Sequence, residues 1–275
     1  MHLFLFGDPL GHTLSPAMHN AALAEVGLGG WHYTPRPVRT EDLGFALAEL
    51  RRADVAGANV TVPHKQAVIP YLDGLTPTAL ALGAVNTIVK EGGRLLGHNT
   101  DAAGLLADLA TNGARLTGAR VLVLGAGGSA RAAVGGLLGV GAAVRVLARR
   151  PEQAEALQVL GPIEIYPWTP LGFLEASDDV AVVINTTPLG MHPRVDASPW
   201  LEGTPWPVAD LVYDLVYNPA ETLFVRQARA QGLRAATGLG MLVEQGALAF
   251  ELWTGQTAPR AVMRRAAEAT LGGAR

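Results

Sequence analysis

Residues 119–149 read ARVLVLGAGGSARAAVGGLLGVGAAVRVLAR. A short apolar run, a glycine-rich turn, an alanine-rich helix-forming stretch and a second apolar run follow one another within about 30 residues, the span of a βαβ unit. Inside it, GAGGSA (125–130) sets Gly125, Gly127 and Ala130 at the three positions of the G-x-G-x-x-G/A pattern. The first glycine permits the tight turn, the second lets backbone approach a pyrophosphate, and the small third residue lets helix and strand pack closely. Free N–H groups and the dipole at the helix start favour an anion. Gly125, Ala126, Gly127, Gly128 and Ser129 are therefore expected to cradle the phosphates of a dinucleotide. The plain alternative is a glycine-rich turn that binds none, but the strand before and the helix after favour the dinucleotide.

The end of the second strand bears on which dinucleotide. NAD binders place an acidic residue about 20 residues past the turn, on the ribose hydroxyls. Here the second strand, AVRVLA (143–148), ends in Arg149-Arg150-Pro151 with no acid at its tip. Two guanidiniums suit a 2′-phosphate, since arginine offers a planar fork to phosphate oxygens. NADP is the expected cofactor; a solvated surface pair is the alternative.

On the N-terminal side, HLFLFG (2–7), WHYTPRPV (31–38) and GANVTVP (57–63) read as strands. SPAMHNAALAEVG (15–27) reads as a helix capped by Ser15, with Pro16 at its first position and Gly27 as its stop. EDLGFALAELRR (41–52) reads as an amphipathic helix, HKQAVIPYL (64–72) as a short helix kinked near Pro70, and AVNTIVKEGGRLLGHNTD (84–101) as a hairpin around EGG. On the C-terminal side, DVAVVIN (179–185) and LVYDLVY (211–217) are further strands, and residues 240–271 two helices broken at TGQTAP. The fold class is α/β in two domains: an N-terminal α/β substrate domain (1–101) and a doubly wound Rossmann-type domain (102–239). Helices of 240–275 are expected to pack back on the first domain.

Composition excludes several function classes. The chain has 275 residues, net charge -3 and no cysteine. It has no basic field for nucleic acid or anionic membrane, and no disulfide, thiolate nucleophile or zinc ribbon. No apolar run approaches the roughly 20 residues of a membrane span, and the N-terminus lacks a cationic signal-peptide region, so cytoplasm is the expected compartment. Among seven histidines, His12, His19, His64 and His98 fall near the polar motifs, but none makes a metal-binding spacing, so no metal is expected. His64 could line the site.

Only two lysines occur, Lys65 and Lys90; the other basic residues are arginines. Lys65 closes NVTVPHK (59–65). A lysine's pKa can shift on burial, whereas arginine stays protonated to about pH 12, so this position suits proton transfer. Other polar residues sit at strand ends and turns: Thr13, Ser15, Asn59, Thr61, Asn86 and Asn99-Thr100-Asp101. Such hydroxyls and amides suit a polyhydroxylated ligand. Each also has an ordinary structural reading as a cap, a β-former or a turn residue.

The series GDPLGHTLSPAMHN, GANVTVPHK, GAVNTIV, GHNTDAAG, GAGGSAR, INTTPLGM, VYDLVYNPAET and GLGMLVEQGALAFELWTG, in order over nearly the whole chain, resembles the shikimate dehydrogenase family. The resemblance implies reversible NADPH-dependent reduction of 3-dehydroshikimate to shikimate, toward aromatic amino acids. It implies that Lys65 and Asp101 are the catalytic pair, with Lys65 the proton donor and acceptor at the C3 oxygen. Thr13 and Ser15 match the residues that hold the substrate carboxylate. Thr61, Asn86 and Gln245 match substrate-hydroxyl ligands, Tyr217 another substrate-site residue and Asn59 a supporting one. Gly125 to Ser129 match the phosphate turn, and Leu215 and Gly238 match positions near the nicotinamide. The expected partner is the small-molecule substrate, with a homodimer as the assembly considered.

Two departures stand out. The family's Ser-x-Ser is Thr13-Leu14-Ser15 here, which keeps the hydroxyl but adds a methyl to the carboxylate site. Its Asn-Arg-Thr is Ala148-Arg149-Arg150, which keeps one arginine and loses the flanking polar residues. The competing readings are a quinate/shikimate dehydrogenase using NAD, a non-catalytic ligand sensor, and another two-domain NADP enzyme such as a folate dehydrogenase.

Overall fold

The structure, a computed structural model, describes residues 1–11 and 13–273. His12, Ala274 and Arg275 lie outside the described residues. The first elements are β1 (His2–Gly7), α1 (Ser15–Glu25), β2 (His32–Pro37), α2 (Leu43–Glu49), β3 (Val55–Val60), β4 (Gly74–Leu75), α3 (Pro77–Leu82), β5 (Thr87–Glu91), β6 (Arg94–His98) and α4 (Asp101–Thr111). Their strands form one mixed sheet in the order β2-β1-β3-β5-β6-β4. β1 lies parallel to both β2 and β3, while β5 runs antiparallel to β3 and to β6. Gly92 and Gly93 turn the β5–β6 hairpin with φ of +56° and +83°, the left-handed pair that a two-residue turn between twisted strands needs. Leu43, Ala46 and Leu47 of α2 recur at helical spacing and are buried with Phe6, Val60 and Ile88 in this sheet's core.

Three local readings are corrected. Residues 64–72 are not an α-helix: one turn closes with Val68 N–H on the His64 carbonyl, and a 3₁₀ turn spans Ile69–Tyr71. The Lys65 carbonyl accepts instead from Val85 N–H at 2.7 Å, and Pro70 offers no N–H to continue a helix. Ser15 is the first helical residue, not the cap; its N–H donates to Thr13 Oγ1 at 3.3 Å. The strands expected over 57–63 and 211–217 end earlier, at Val60 and Asp214, so Thr61 and Tyr217 follow strands rather than lie in them.

The second group comprises β7 (Arg120–Leu124), α5 (Gly128–Gly139), β8 (Ala143–Ala148), α6 (Pro151–Glu155), β9 (Ile163–Pro167), α7 (Pro170–Ala176), β10 (Val182–Asn185), β11 (Leu211–Asp214), α8 (Leu223–Ala230) and β12 (Ala235–Thr237). Its six strands are all parallel, in the order β12-β11-β10-β7-β8-β9. The order reverses between β7 and β10, the place where such sheets bind ligands. Apolar clusters cover both faces of the sheet, one around Val121, Ala133 and Val146, the other around Leu122, Phe173 and Phe224. Strands buried on both faces read as continuous apolar runs, and VLVL and VVIN do.

The chain ends in α9 (Leu239–Thr254) and α10 (Arg260–Gly273). Two compact units result: Met1–Gly104 with Val243–Arg275, and Leu105–Leu242. Gly246 of α9 meets Met18 and His19 of α1, and the Trp253 indole N–H donates to the Ile88 carbonyl at 3.0 Å. At Gly57 a Cβ would stand 2.3 Å from that carbonyl oxygen and 2.5 Å from the indole nitrogen, so β3 passes under Trp253 only because residue 57 has no side chain.

Candidate active site

Asp101 opens α4, where the helix dipole favours a carboxylate. Asn99 caps that start, its side-chain oxygen accepting from the N–H groups of Asp101 and Ala102 at 3.1 and 3.4 Å. Lys65 Nζ donates to Asp101 Oδ2 at 2.5 Å, with side chains 19% and 9% exposed. The other carboxylate oxygen, Oδ1, accepts from Asn86 Nδ2 at 2.9 Å. Asn86 Nδ2 also donates to Thr100 Oγ1 at 2.9 Å and lies 3.3 Å from Gln245 Oε1 of α9. Gly104 lets α9 come this near, since a Cβ there would stand 2.7 Å from Gln245 N.

The amide of Asn86 is pinned from the other side by backbone, with Thr100 N–H donating to its Oδ1 at 2.8 Å. Asn59 donates through Nδ2 to the Asn86 carbonyl and to Thr87 Oγ1, both at 3.0 Å. Tyr33 donates its hydroxyl to Asn59 Oδ1 at 2.8 Å. Burial pushes the Tyr33 phenol well above its ordinary range, with the Ser15 hydroxyl's hydrogen bond pulling the other way. Thr61 stands against Gly7, where a Cβ would come 2.3 Å from its methyl carbon. Polar side chains from α1, β2, β3, β5, α4 and α9 thus meet in one hydrogen-bonded group, a rigid frame around one ion pair.

In the second unit, Gly125 takes φ +103°, and a Cβ there would stand 2.7 Å from the Thr187 methyl carbon and 3.0 Å from Thr186 Oγ1. Among the described residues, nothing beyond their own chain neighbours and the helix backbone lies within 4 Å of the Cβ positions of Gly127 and Gly128. Among the described residues, no side chain caps the start of α5, and the first N–H groups of a helix have no intrahelical partner. The residues present fit a dinucleotide phosphate. Ala148 is buried in the core and can offer only backbone, while Arg149 and Arg150 are exposed. Leu215 and Gly238 adjoin, with a Cβ on Gly238 falling 2.2 Å from the Leu215 carbonyl oxygen. Tyr217 is half-buried just past β11, its phenol pushed up by burial.

Residues 5–88 match the family model described as shikimate dehydrogenase substrate binding domain. Residues 238–268 match shikimate 5'-dehydrogenase C-terminal domain. A protein of Moorella thermoacetica named shikimate dehydrogenase (NADP(+)) is 45% identical over 282 residues, covering 98% of this chain and 92% of that one. The chain belongs to the shikimate dehydrogenase family. The shikimate dehydrogenase (NADP(+)) of Salinibacter ruber is 46% identical over 272 residues, 94% of each chain. The crystal structure of shikimate 5-dehydrogenase from Thermus thermophilus, in complex with NADP(H) and shikimate, superposes with a TM-score of 0.90. It is 40% identical, covering 98% of this chain and all of that one.

Within this shikimate dehydrogenase family member, the first unit gathers Thr13, Ser15, Asn59, Thr61, Lys65, Asn86, Asp101 and Gln245. The second carries the glycine-rich turn, Arg149, Arg150, Leu215, Tyr217 and Gly238. His64 does not line the site: its buried ring sits 2.6 Å from the Val38 carbonyl. His19 is buried between the rings of Tyr33 and Trp253. Two members of the polar group, Tyr33 and Thr87, do not stand out in the sequence motifs. The available signal is alternation: in HYTPRP only Tyr33 is buried, and a buried tyrosine hydroxyl needs a partner. Among the described residues, no helix is long and apolar enough to cross a membrane.

Proposed function

We propose that this chain catalyses the reversible NADPH-dependent reduction of 3-dehydroshikimate to shikimate, a step toward chorismate and the aromatic amino acids, with Lys65 and Asp101 as its acid–base pair. The observation that carries these roles is the 2.5 Å contact of Lys65 Nζ with Asp101 Oδ2 inside a wall of uncharged amides and hydroxyls. NADPH, when bound, supplies the hydride for the C3 carbonyl carbon. As that carbon is reduced its oxygen gains negative charge, which the Lys65 ammonium stabilises and then neutralises by giving up a proton. In the reverse direction Lys65 takes the hydroxyl proton. Asp101, pinned by Asn86, holds the ammonium in place and accepts from a substrate hydroxyl.

Thr13 and Ser15 would hold the substrate carboxylate, and Thr61, Asn86, Gln245 and Tyr217 its hydroxyls, with Asn59 as support. Gly125, Ala126, Gly127, Gly128 and Ser129 would cradle the pyrophosphate, and Arg149 and Arg150 the 2′-phosphate, beside Ala148. Leu215 and Gly238 would flank the nicotinamide. In domain terms, the unit with Lys65 and Asp101 would be the substrate and catalytic domain, and the parallel sheet the NADP domain. The cytoplasm is the proposed compartment and a homodimer the proposed assembly, which light scattering tests.

The deciding experiment follows cofactor reduction spectrophotometrically with shikimate and quinate, each with NADP and with NAD. The expected preference is shikimate with NADP. An equal rate with NAD and quinate would favour the broader dehydrogenase, and no turnover in any pairing would overturn the enzyme reading.

A further inference from the structure

We propose that Tyr33 is a positioning residue for the acid–base pair, acting through a one-way chain of hydrogen bonds by way of Asn59, Thr87 and Asn86 to Asp101. The inference rests on the proposed roles of Lys65 and Asp101.

Backbone groups fix the direction of every link. Asn59 Nδ2 faces the Asn86 carbonyl at 3.0 Å, and a carbonyl can only accept. The other end of the Asn59 amide is therefore its oxygen, so the Tyr33 hydroxyl, 2.8 Å away, must donate to it. Asn59 Nδ2 also donates to Thr87 Oγ1 at 3.0 Å. Thr87 in turn has its single proton for Asn86 Oδ1 at 3.1 Å. The N–H of Thr100, which can only donate, marks that atom of Asn86 as oxygen. The Asn86 nitrogen then faces Asp101 Oδ1, whose partner oxygen holds Lys65. Reversing any link would oppose two donors or two acceptors.

The chain is dry. Tyr33, Asn59, Asn86 and Thr87 are all buried, at 2%, 6%, 2% and 0% exposed. Water does not substitute readily for a lost link there, so the loss is felt along the chain. Tyr33 is itself held on both sides: its ring stacks on His19 at 4.3 Å between centroids, and its backbone N–H and carbonyl are bound by the Asn20 amide at 2.8 and 2.9 Å. The register of β2 against β1 thus sets where the hydroxyl sits, and the hydroxyl sets the amide plane of Asn59.

Tyr33→Phe keeps the ring stack and removes only the first donor. The expected result is a fall in kcat of about tenfold, with KM for shikimate within about threefold and KM for NADP unchanged. Thr87→Val cuts the same chain further along and should lower kcat similarly. Because both act on one chain, the double variant should lose little more than either single one. A residue serving only to pack would lower the melting temperature and leave kcat intact. Wild-type kcat in either single variant, or independent multiplying losses in the double, would overturn the proposal; Thr87→Val decides even if Tyr33→Phe fails to fold. Wild-type protein assayed alongside separates the two readings: if it does not turn over shikimate, the proposed function has failed rather than the chain from Tyr33.

Discussion

The ammonium of Lys65 stands 2.5 Å from a carboxylate oxygen of Asp101, a residue that opens a helix and whose other oxygen is held by Asn86. The pair is nearly closed to solvent, at 19% and 9% exposed, and hydrogen bonds between charged groups in such places are worth more than surface pairs. An arginine in its place could still pair with Asp101. It would not release a proton near neutral pH. Lys65→Arg and Lys65→Ala should both lower kcat by about 10² to 10⁴ with modest change in shikimate KM. Steady-state kinetics check this, and a large KM rise with normal kcat would reduce Lys65 to a binding residue.

Arg149 and Arg150 directly follow β8, both exposed, and neither offers an acid to a ribose hydroxyl. If they hold a 2′-phosphate, Arg149→Ala should weaken NADP by about tenfold or more and leave NAD nearly unchanged, with Arg150→Ala showing the same sign. Titration calorimetry with each cofactor decides. Equal losses for both would mean that the guanidinium does not read the phosphate.

His19 is buried between the Tyr33 and Trp253 rings, and burial alone brings its pKa down to about 3 from 6.5. The unfolded chain therefore binds a proton between these values that the folded chain does not, and stability falls as pH falls from about 6.5 toward 3. The slope is about 1.4 kcal/mol per pH unit, roughly 5 kcal/mol in all. His19→Phe should flatten that part of the denaturation profile, as urea melts from pH 7 to 4 would show.

Asp214 has the opposite sign. Burial raises its pKa to about 6 from 3.8, against hydrogen bonds from Thr222, the Val216 N–H and Asn185. The folded state holds the extra proton, so its contribution is present below about pH 4 and is lost as pH rises through about 6. The cost at neutral pH is on the order of 3 kcal/mol. In Asp214→Asn the oxygen can still accept from Asn185 and Val216, while the Thr222 hydroxyl turns to accept from the new amide. Stability at pH 7 should therefore rise above wild type, by up to about 3 kcal/mol, and the slope between pH 4 and 6 should vanish.

What the residues declared in advance, and what they hid, divide by range. The βαβ unit was legible because strand, glycine turn and helix are contiguous and each obeys its own period. The hairpin at Gly92-Gly93 was legible for the same reason. Residues 64–72 looked helical because local propensity cannot see that the Lys65 carbonyl is claimed by Val85. Tyr33 stayed hidden because its partner lies 26 positions away and meets it only through the pairing of β1 with both β2 and β3. The motifs named Asn59, Lys65, Asn86, Asp101 and Gln245, yet nothing in their spacing shows how one amide holds the next.

The unit that carries Lys65 and Asp101 is written in two pieces, Met1–Gly104 and Val243–Arg275. A ribosome delivers the first piece, then the whole parallel sheet, and only afterwards α9 and α10. Until then Asn86 lacks Gln245, the His19 ring lacks the cover of Trp253, and β3 runs bare at Gly57. The first unit thus waits, unfinished, while the second is made, and a nascent chain halted before residue 243 lacks both Gln245 and Trp253, two side chains that complete it.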